Sequence, residues 1–193
     1  AYLRTLPWHV SQVKIPWYLF GTAGNLRQPR SVVRGCRMRE NILSRNNRDW
    51  HAKGVVRSSR VLRLLIHGHL VIGRTIAPLA DAPAIDAGPF LPDRLRAREG
   101  EMILVQNHYN LQSREQFDHK AAKPDPETGR PAAKYTESYF ETTEAFANGV
   151  RDDFLYRKHA SLFDELKRSS DGRAPRSAPA PGQPTACGAA ELV

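Results

Sequence analysis

Proline and glycine decide how the first third of this chain can fold. Pro7, Pro16 and Pro29 interrupt residues 1–53, and Gly21, Gly24 and Gly35 loosen them further. Proline fixes φ and removes a backbone donor, so neither a helical nor a strand period is sustained there. Within this stretch, Ile15-Pro16-Trp17-Tyr18-Leu19-Phe20 is an apolar knot without polar alternation. Such a knot needs a hydrophobic surface to lie on. The expectation is a long extended arm over residues 1–53 that partners hold in place, because Pro/Gly-rich polar chain does not repay its conformational entropy alone.

Charge sharpens that expectation. Residues 1–74 carry fourteen Lys/Arg against Glu40 and Asp49, a net of +12, and residues 75–193 carry fifteen against eighteen, a net of −3. Trp8, Trp17, Tyr18, Phe20 and Trp50 are interleaved with Arg34, Arg37, Arg39, Arg45, Arg48, Arg57 and Arg60. These twelve residues are the candidate partner-binding set. Arginine outnumbers lysine by twenty-two to seven. Arginine suits bidentate contact with carboxylates and phosphates and stacks on aromatic faces; a GC-rich genome yields the same bias.

The rest of the chain predicts a mainly α fold, with a body of about three or four helices over residues 54–170. Residues 55–76 are the most apolar stretch. Positions 61, 62, 65, 66, 69 and 72 make one helical stripe, which favours a helix ending before Pro78. The competing reading is a buried strand over 61–66 paired with 70–75. Pro78, Pro83, Pro89 and Pro92 make residues 77–92 a linker. Asp93 is a plausible N-cap for a helix carrying Leu95, Met102, Ile103, Gln106 and Tyr109. A short helix fits Val32–Ser44. Residues 123–131 form a turn-rich break, and the spacing of Tyr135, Tyr139, Phe146, Val150, Phe154, Leu155, Leu162 and Leu166 is helical, with Gly149 a possible division. Residues 171–193 form a low-complexity Pro/Ala-rich tail expected to be disordered.

Candidate chemistry is sparse. His67-Gly68-His69 places two imidazoles on one face only if the segment is a strand, and no further ligand pair is spaced for zinc. Structural histidines are the simpler reading. Cys36 lies between Arg34 and Arg37, and neighbouring cations lower a thiol pKa and favour reactivity. Cys36 and Cys187 are too few for a disulfide framework and fit free thiols in a reducing compartment. Gly21-Thr22-Ala23-Gly24 matches the Gly-x-x-Gly loop by which KH domains clamp a nucleic-acid backbone, but Pro16 and Pro29 replace the flanking helices. Asp152-Asp153 and Asp164-Glu165 fit a solvated face. No hydrolase, metalloprotease, nucleotide-loop or dinucleotide motif occurs. No catalytic, cofactor-binding or metal-ligating residue is therefore assigned, and the chain is not expected to be an enzyme.

Leu155-Tyr156-Arg157 resembles the tripeptide of the LYR family of mitochondrial accessory and assembly factors, where it belongs near the start of the first helix. Here it lies near the end of the ordered chain. Residues 148–154 are similar to a short stretch of the peripheral-stalk subunit d of mitochondrial ATP synthase. Both resemblances are too short to transfer residue roles.

The longest uncharged runs, 15–26 and 64–73, fall short of the ~18–20 residues a membrane helix needs. A start at Ala1 fits removal of a targeting segment. Together these features lead to one expectation: a non-catalytic accessory structural subunit of a large mitochondrial membrane complex, such as a respiratory-chain complex or ATP synthase. It would lie on the matrix side, peripheral to the inner membrane, with its arm over neighbouring subunits and anionic lipid headgroups. The alternative is a mitochondrial ribosomal protein whose arm binds rRNA.

Overall fold

The computed structural model describes residues 2–44, 50–86, 88, 90–124, 129 and 134–171. Arg45, Arg48, Cys187, most of the 123–131 break and the tail from 172 onward lie outside the described residues. In chain order the elements are α1 (Tyr2–Thr5), β1 (Val10–Phe20), α2 (Val32–Gly35), β2 (Met38–Arg39) and β3 (Trp50–Val56). A 3-10 turn (Ser58–Arg60) leads into β4 (Val61–Arg63), β5 (Leu70–Val71), β6 (Arg74–Ile76) and β7 (Phe90–Leu91). A 3-10 run (Asp93–Glu101) then precedes β8 (Gln106–Tyr109), α3 (Arg114–Ala122), α4 (Glu137–Ala147), β9 (Val150–Arg151), α5 (Phe154–Lys158) and α6 (Ala160–Asp171).

The fold is not mainly α. A seven-stranded sheet organises it, and its hub is β1, inside the segment expected to be an extended arm. On one side β1 pairs antiparallel with β3 (Gln12↔Val56 through Pro16↔Ala52) and then with β2 (Phe20↔Arg39). Parallel pairing with β6 (Val10↔Arg74 to Val13↔Ile76) and β8 (Trp17↔Gln106 to Phe20↔Tyr109) completes its ladder. The sheet continues from β3 to β7 and from β2 to β9.

Pro16 survives inside this central strand because of where the partners end. The Arg57 N–H donates to the Ser11 carbonyl, and Trp50 Nε1 donates to the Trp17 carbonyl. Odd-numbered residues of β1 therefore point their backbone groups toward β3. The nitrogen of Pro16 faces the other way, into the gap between the residues paired by β6 and those paired by β8. No ladder hydrogen bond is lost, which is the condition for proline inside a sheet.

β1 is buried on both faces over Val10–Lys14 and alternates only from Ile15 to Phe20. Tyr18, Phe20, Trp50, Ala52, Ala77, Leu79, Leu91 and Leu95 form the main core, and Val10, Val13 and Ile76 form a smaller one. The apolar knot thus finds its hydrophobic surface within its own chain.

Other expectations change in the same direction. The helix over 55–76 is replaced by the end of β3 and a β4–β5 hairpin, with Val61↔Val71 and Arg63↔Leu70 paired. The competing strand reading had that pairing, although the hairpin is largely exposed rather than buried. The segment after Asp93 is 3-10 helical, kinked at Arg98, and gives way to β8. Only one turn of the helix expected over 32–44 forms. Helices α4, α5 and α6 form in the segment expected to be helical, although Val150 falls in β9; α3 is a separate helix that the sequence reading did not assign. Ser113 caps α3 by accepting from the Gln116 N–H, and Thr136 caps α4 by accepting from the Tyr139 N–H. The chain divides into two compact units, Ala1–Leu155 and Tyr156–Val193. In the second, Tyr156 and Phe163 stack with ring centres 6.2 Å apart.

Candidate docking surface

Among the described residues, the β4–β5 hairpin gathers the most exposed large aliphatic side chains. Leu62, Leu64, Leu65, Ile66, Leu70 and Ile72 are each at least half exposed, with Leu64 at 68% and Ile66 at 80%. A soluble surface rarely gathers that many aliphatics in one place unless something covers them. Trp8, 72% exposed, lies beside the hairpin's base with the Arg60 guanidinium 5.0 Å from its ring centre. Arg57, Arg60, Arg63 and Arg74 flank or interrupt the apolar stretch in sequence, and there is no Asp or Glu from Trp50 to Ala80.

This hairpin is held rather than floppy, and the holding groups are Ser11 and Gln12, buried in β1, with Lys53 of β3 and His69 of the hairpin itself. Gln12 Oε1 accepts from the His69 N–H at 3.0 Å, while Gln12 Nε2 donates to Thr75 Oγ1 at 3.0 Å. Ser11 Oγ donates to the Ile72 carbonyl at 2.6 Å. Lys53 Nζ donates to the Ile66 carbonyl at 3.1 Å. His69 Nδ1 accepts from the Leu65 N–H at 3.2 Å, so its Nε2 carries the proton and donates to Gly54 O at 3.3 Å. His69 is thus a structural brace.

The two histidines of His67-Gly68-His69 serve different neighbours. His67 packs on Trp17 and His51, with ring centres 5.4 and 5.8 Å away. Among the described residues, no three His, Cys, Asp or Glu side chains are arranged to hold a metal ion.

Placement of the remaining candidates divides them. Tyr18, Phe20 and Trp50 are core residues, 8%, 2% and 1% exposed. Trp17 is half-buried among imidazoles. Arg39 donates to Asp152 at 2.8 Å and to Glu99 at 2.9 Å, and lies 4.2 Å from the Tyr18 ring centre. Burial first, then the nearby Glu99 carboxylate, pushes the Tyr18 phenol up to about 12. Arg37 lies 3.4 Å from Asp153. Arg57 donates to the carbonyls of Val10 and Leu6, Arg34 is exposed on α2, and Arg45 and Arg48 lie outside the described residues. The structure therefore brings together Trp8, Arg57 and Arg60 from the expected set. It adds Arg63 and the hairpin aliphatics, of which the helical reading had placed Leu62, Leu65, Ile66 and Ile72 on one stripe. The legible signal was the lack of any carboxylate beside the most apolar stretch.

One chemical expectation is corrected, and one motif already set aside is accounted for. Cys36 is buried, its thiol donating to the Gln112 carbonyl at 3.2 Å, and burial pushes its pKa up to about 11 rather than down. The Gly21–Gly24 turn spends its backbone donors internally: Thr22 N–H on Glu144, Ala23 N–H on Asn148 and Gly24 N–H on Thr22 Oγ1. It has none left to clamp a nucleic-acid backbone. No helix among the described residues is long and apolar enough to cross a membrane. Compared with known proteins, the chain matches no family model, no curated protein and no solved structure.

Proposed function

We propose that this chain is a non-catalytic structural subunit of a large assembly, attached through the Trp8 and β4–β5 hairpin face. The observation that carries this reading is the cluster of braced, exposed aliphatics in a stretch of sequence, residues 50–80, that carries Lys and Arg but no Asp or Glu. Its partner is a neighbouring subunit presenting an apolar groove rimmed by carboxylates. Aliphatic anchors supply the affinity by desolvation, and the arginines set orientation and encounter rate. The Arg-rich composition and basic character favour a mitochondrial membrane complex approached from the matrix side, where anionic headgroups add to the attraction.

A second reading, attachment to rRNA, draws on the exposed Arg27, Arg30 and Arg34 before and on α2. Co-purification separates the two. Tagged chain is expected to co-migrate with detergent-solubilised inner-membrane complexes on a native gel, with no loss after RNase. The double variant Leu64→Asp/Ile66→Asp is expected to remain soluble, folded and unattached. Release by RNase, with sedimentation among ribosomal particles beforehand, replaces the first reading with the second.

A further inference from the structure

The first helical turn meets the sheet without filling the space beside it. A cleft of about 160 Å³ remains, lined by Leu3 and Leu6 from the α1 segment and by Val10, Val13 and Val55 from β1 and β3. The register explains this lining, because Val13 stands opposite Val55 across the β1–β3 ladder and both side chains emerge on one face. Leu3 and Val55 are 42% and 39% exposed, so a solute reaches the apolar lining directly.

One charged side chain lines the cleft, that of Arg57, which follows β3. Its Nε donates to the Val10 carbonyl at 2.8 Å and its Nη2 to the Leu6 carbonyl at 3.2 Å. These bonds fix the guanidinium in place. The residue remains exposed, and among the described residues its Nη1 has neither a hydrogen-bond acceptor nor a carboxylate beside it. Ser11 and Gln12 also line the cleft, but their side chains are engaged by the Ile72 carbonyl, the His69 N–H and Thr75. No Asp or Glu occurs from Ala1 to Arg39 or from Trp50 to Ala80, so α1, β1 and β3 contribute no negative charge. An apolar cleft with one fixed cation complements an anion that carries an apolar chain.

We propose that this cleft binds a short- to medium-chain aliphatic carboxylate. The carboxylate accepts from the Arg57 Nη1 N–H groups, and the alkyl chain lies against Leu3, Leu6, Val13 and Val55. Volume sets the length: a cavity of ~150 Å³ holds a six-carbon molecule, so hexanoate fills the cleft and octanoate reaches its mouth. A single guanidinium balances one negative charge, which favours a carboxylate over a dianionic phosphate ester. Each methylene taken into the cleft raises affinity about fourfold. Beyond about eight carbons the added methylenes stay in water and the gain stops. This inference is independent of the hairpin docking reading.

The test is a titration of the full chain with acetate, butyrate, hexanoate, octanoate and decanoate, followed by its methyl resonances. Signals of Leu3, Leu6, Val13 and Val55 are expected to shift together and saturably with octanoate, while those of Leu64 and Ile66 stay in place. The midpoint is expected to fall about fourfold per methylene from butyrate to hexanoate and to level off after octanoate. Arg57→Met is expected to weaken octanoate binding about tenfold. Because Arg57 also braces the turn before β1, Val55→Phe, which fills the cleft from a partly exposed position, serves as a second variant and is expected to abolish saturation. Hairpin methyls shifting in step with the cleft methyls, equal affinity for 1-octanol, or no saturation by octanoate below about 10 mM overturns the proposal. A response to phosphatidylglycerol vesicles without one to octanoate also overturns it and assigns the cleft to a lipid surface.

Discussion

Arg39 shows most clearly how a single residue of the basic segment is used. Its guanidinium meets Asp152 and Glu99 and covers the Tyr18 ring, with all three partners in the same unit of the fold. Arg39→Ala would leave two partly shielded carboxylates facing each other. It is expected to cost about 2–3 kcal/mol in urea unfolding, below the range for a fully buried pair. Arg39→Lys is expected to recover little of this, because an ammonium cannot span both acids and the ring. Cys36 gives a simpler outcome: with its thiol pushed up to about 11, peptide mapping after alkylation at pH 7.5 is expected to find it unmodified in the native chain and modified in urea. His108 is held near 4, below its ordinary 6.5, by burial first and then by Lys120, Lys53, His51 and His67. The unfolded chain therefore binds more protons between about pH 6.5 and 4, and stability falls as pH drops through that window. Melting temperatures measured across it are expected to decline for the native sequence and to flatten in His108→Gln.

At the scale of elements, the hairpin depends on the turn that returns it to the sheet. Gly73 has φ +116, and an added Cβ would meet Ser11 Oγ and lie 2.8 Å from the His9 carbonyl. Gly73→Ala is expected to destabilise by more than about 1 kcal/mol in thermal unfolding, since both the backbone and the space refuse it. Elements differed in how far they could be read from sequence. The helices α4 and α6 were legible because their information is local: apolar residues at helical steps. β1 was not legible, for three physical reasons. Ser11, Gln12 and Lys14 are polar yet buried, so no alternation shows; Pro16 looks like a breaker until the gap between β6 and β8 is known; and every partner strand is remote, Val13 pairing with Val55 and Trp17 with Gln106. The hairpin was half legible. Its strand pairing was an available alternative to the helix, but the exposure of its aliphatics was not.

At the scale of the whole molecule, the basic first third is divided between interior and surface. Tyr18, Phe20 and Trp50 supply the core, Arg37 and Arg39 face Asp153, Asp152 and Glu99, and exposed cations remain on the hairpin and α2. Convergence of His51 and His67 on Trp17 was invisible in sequence for the same reason as β1, since it exists only once the strands are in register. The central claim is that residues 10–20 are the hub of a self-sufficient sheet and that the β4–β5 hairpin is the surface left for partners. Hydrogen exchange of the isolated full chain tests it most directly. Amides of Val10–Phe20, apart from Pro16, are expected to exchange as slowly as those of Trp50–Val56, while those of Leu64 and Ile66, exposed at the hairpin turn, exchange orders of magnitude faster. Fast exchange throughout Val10–Phe20 in a chain whose helices remain protected would contradict it.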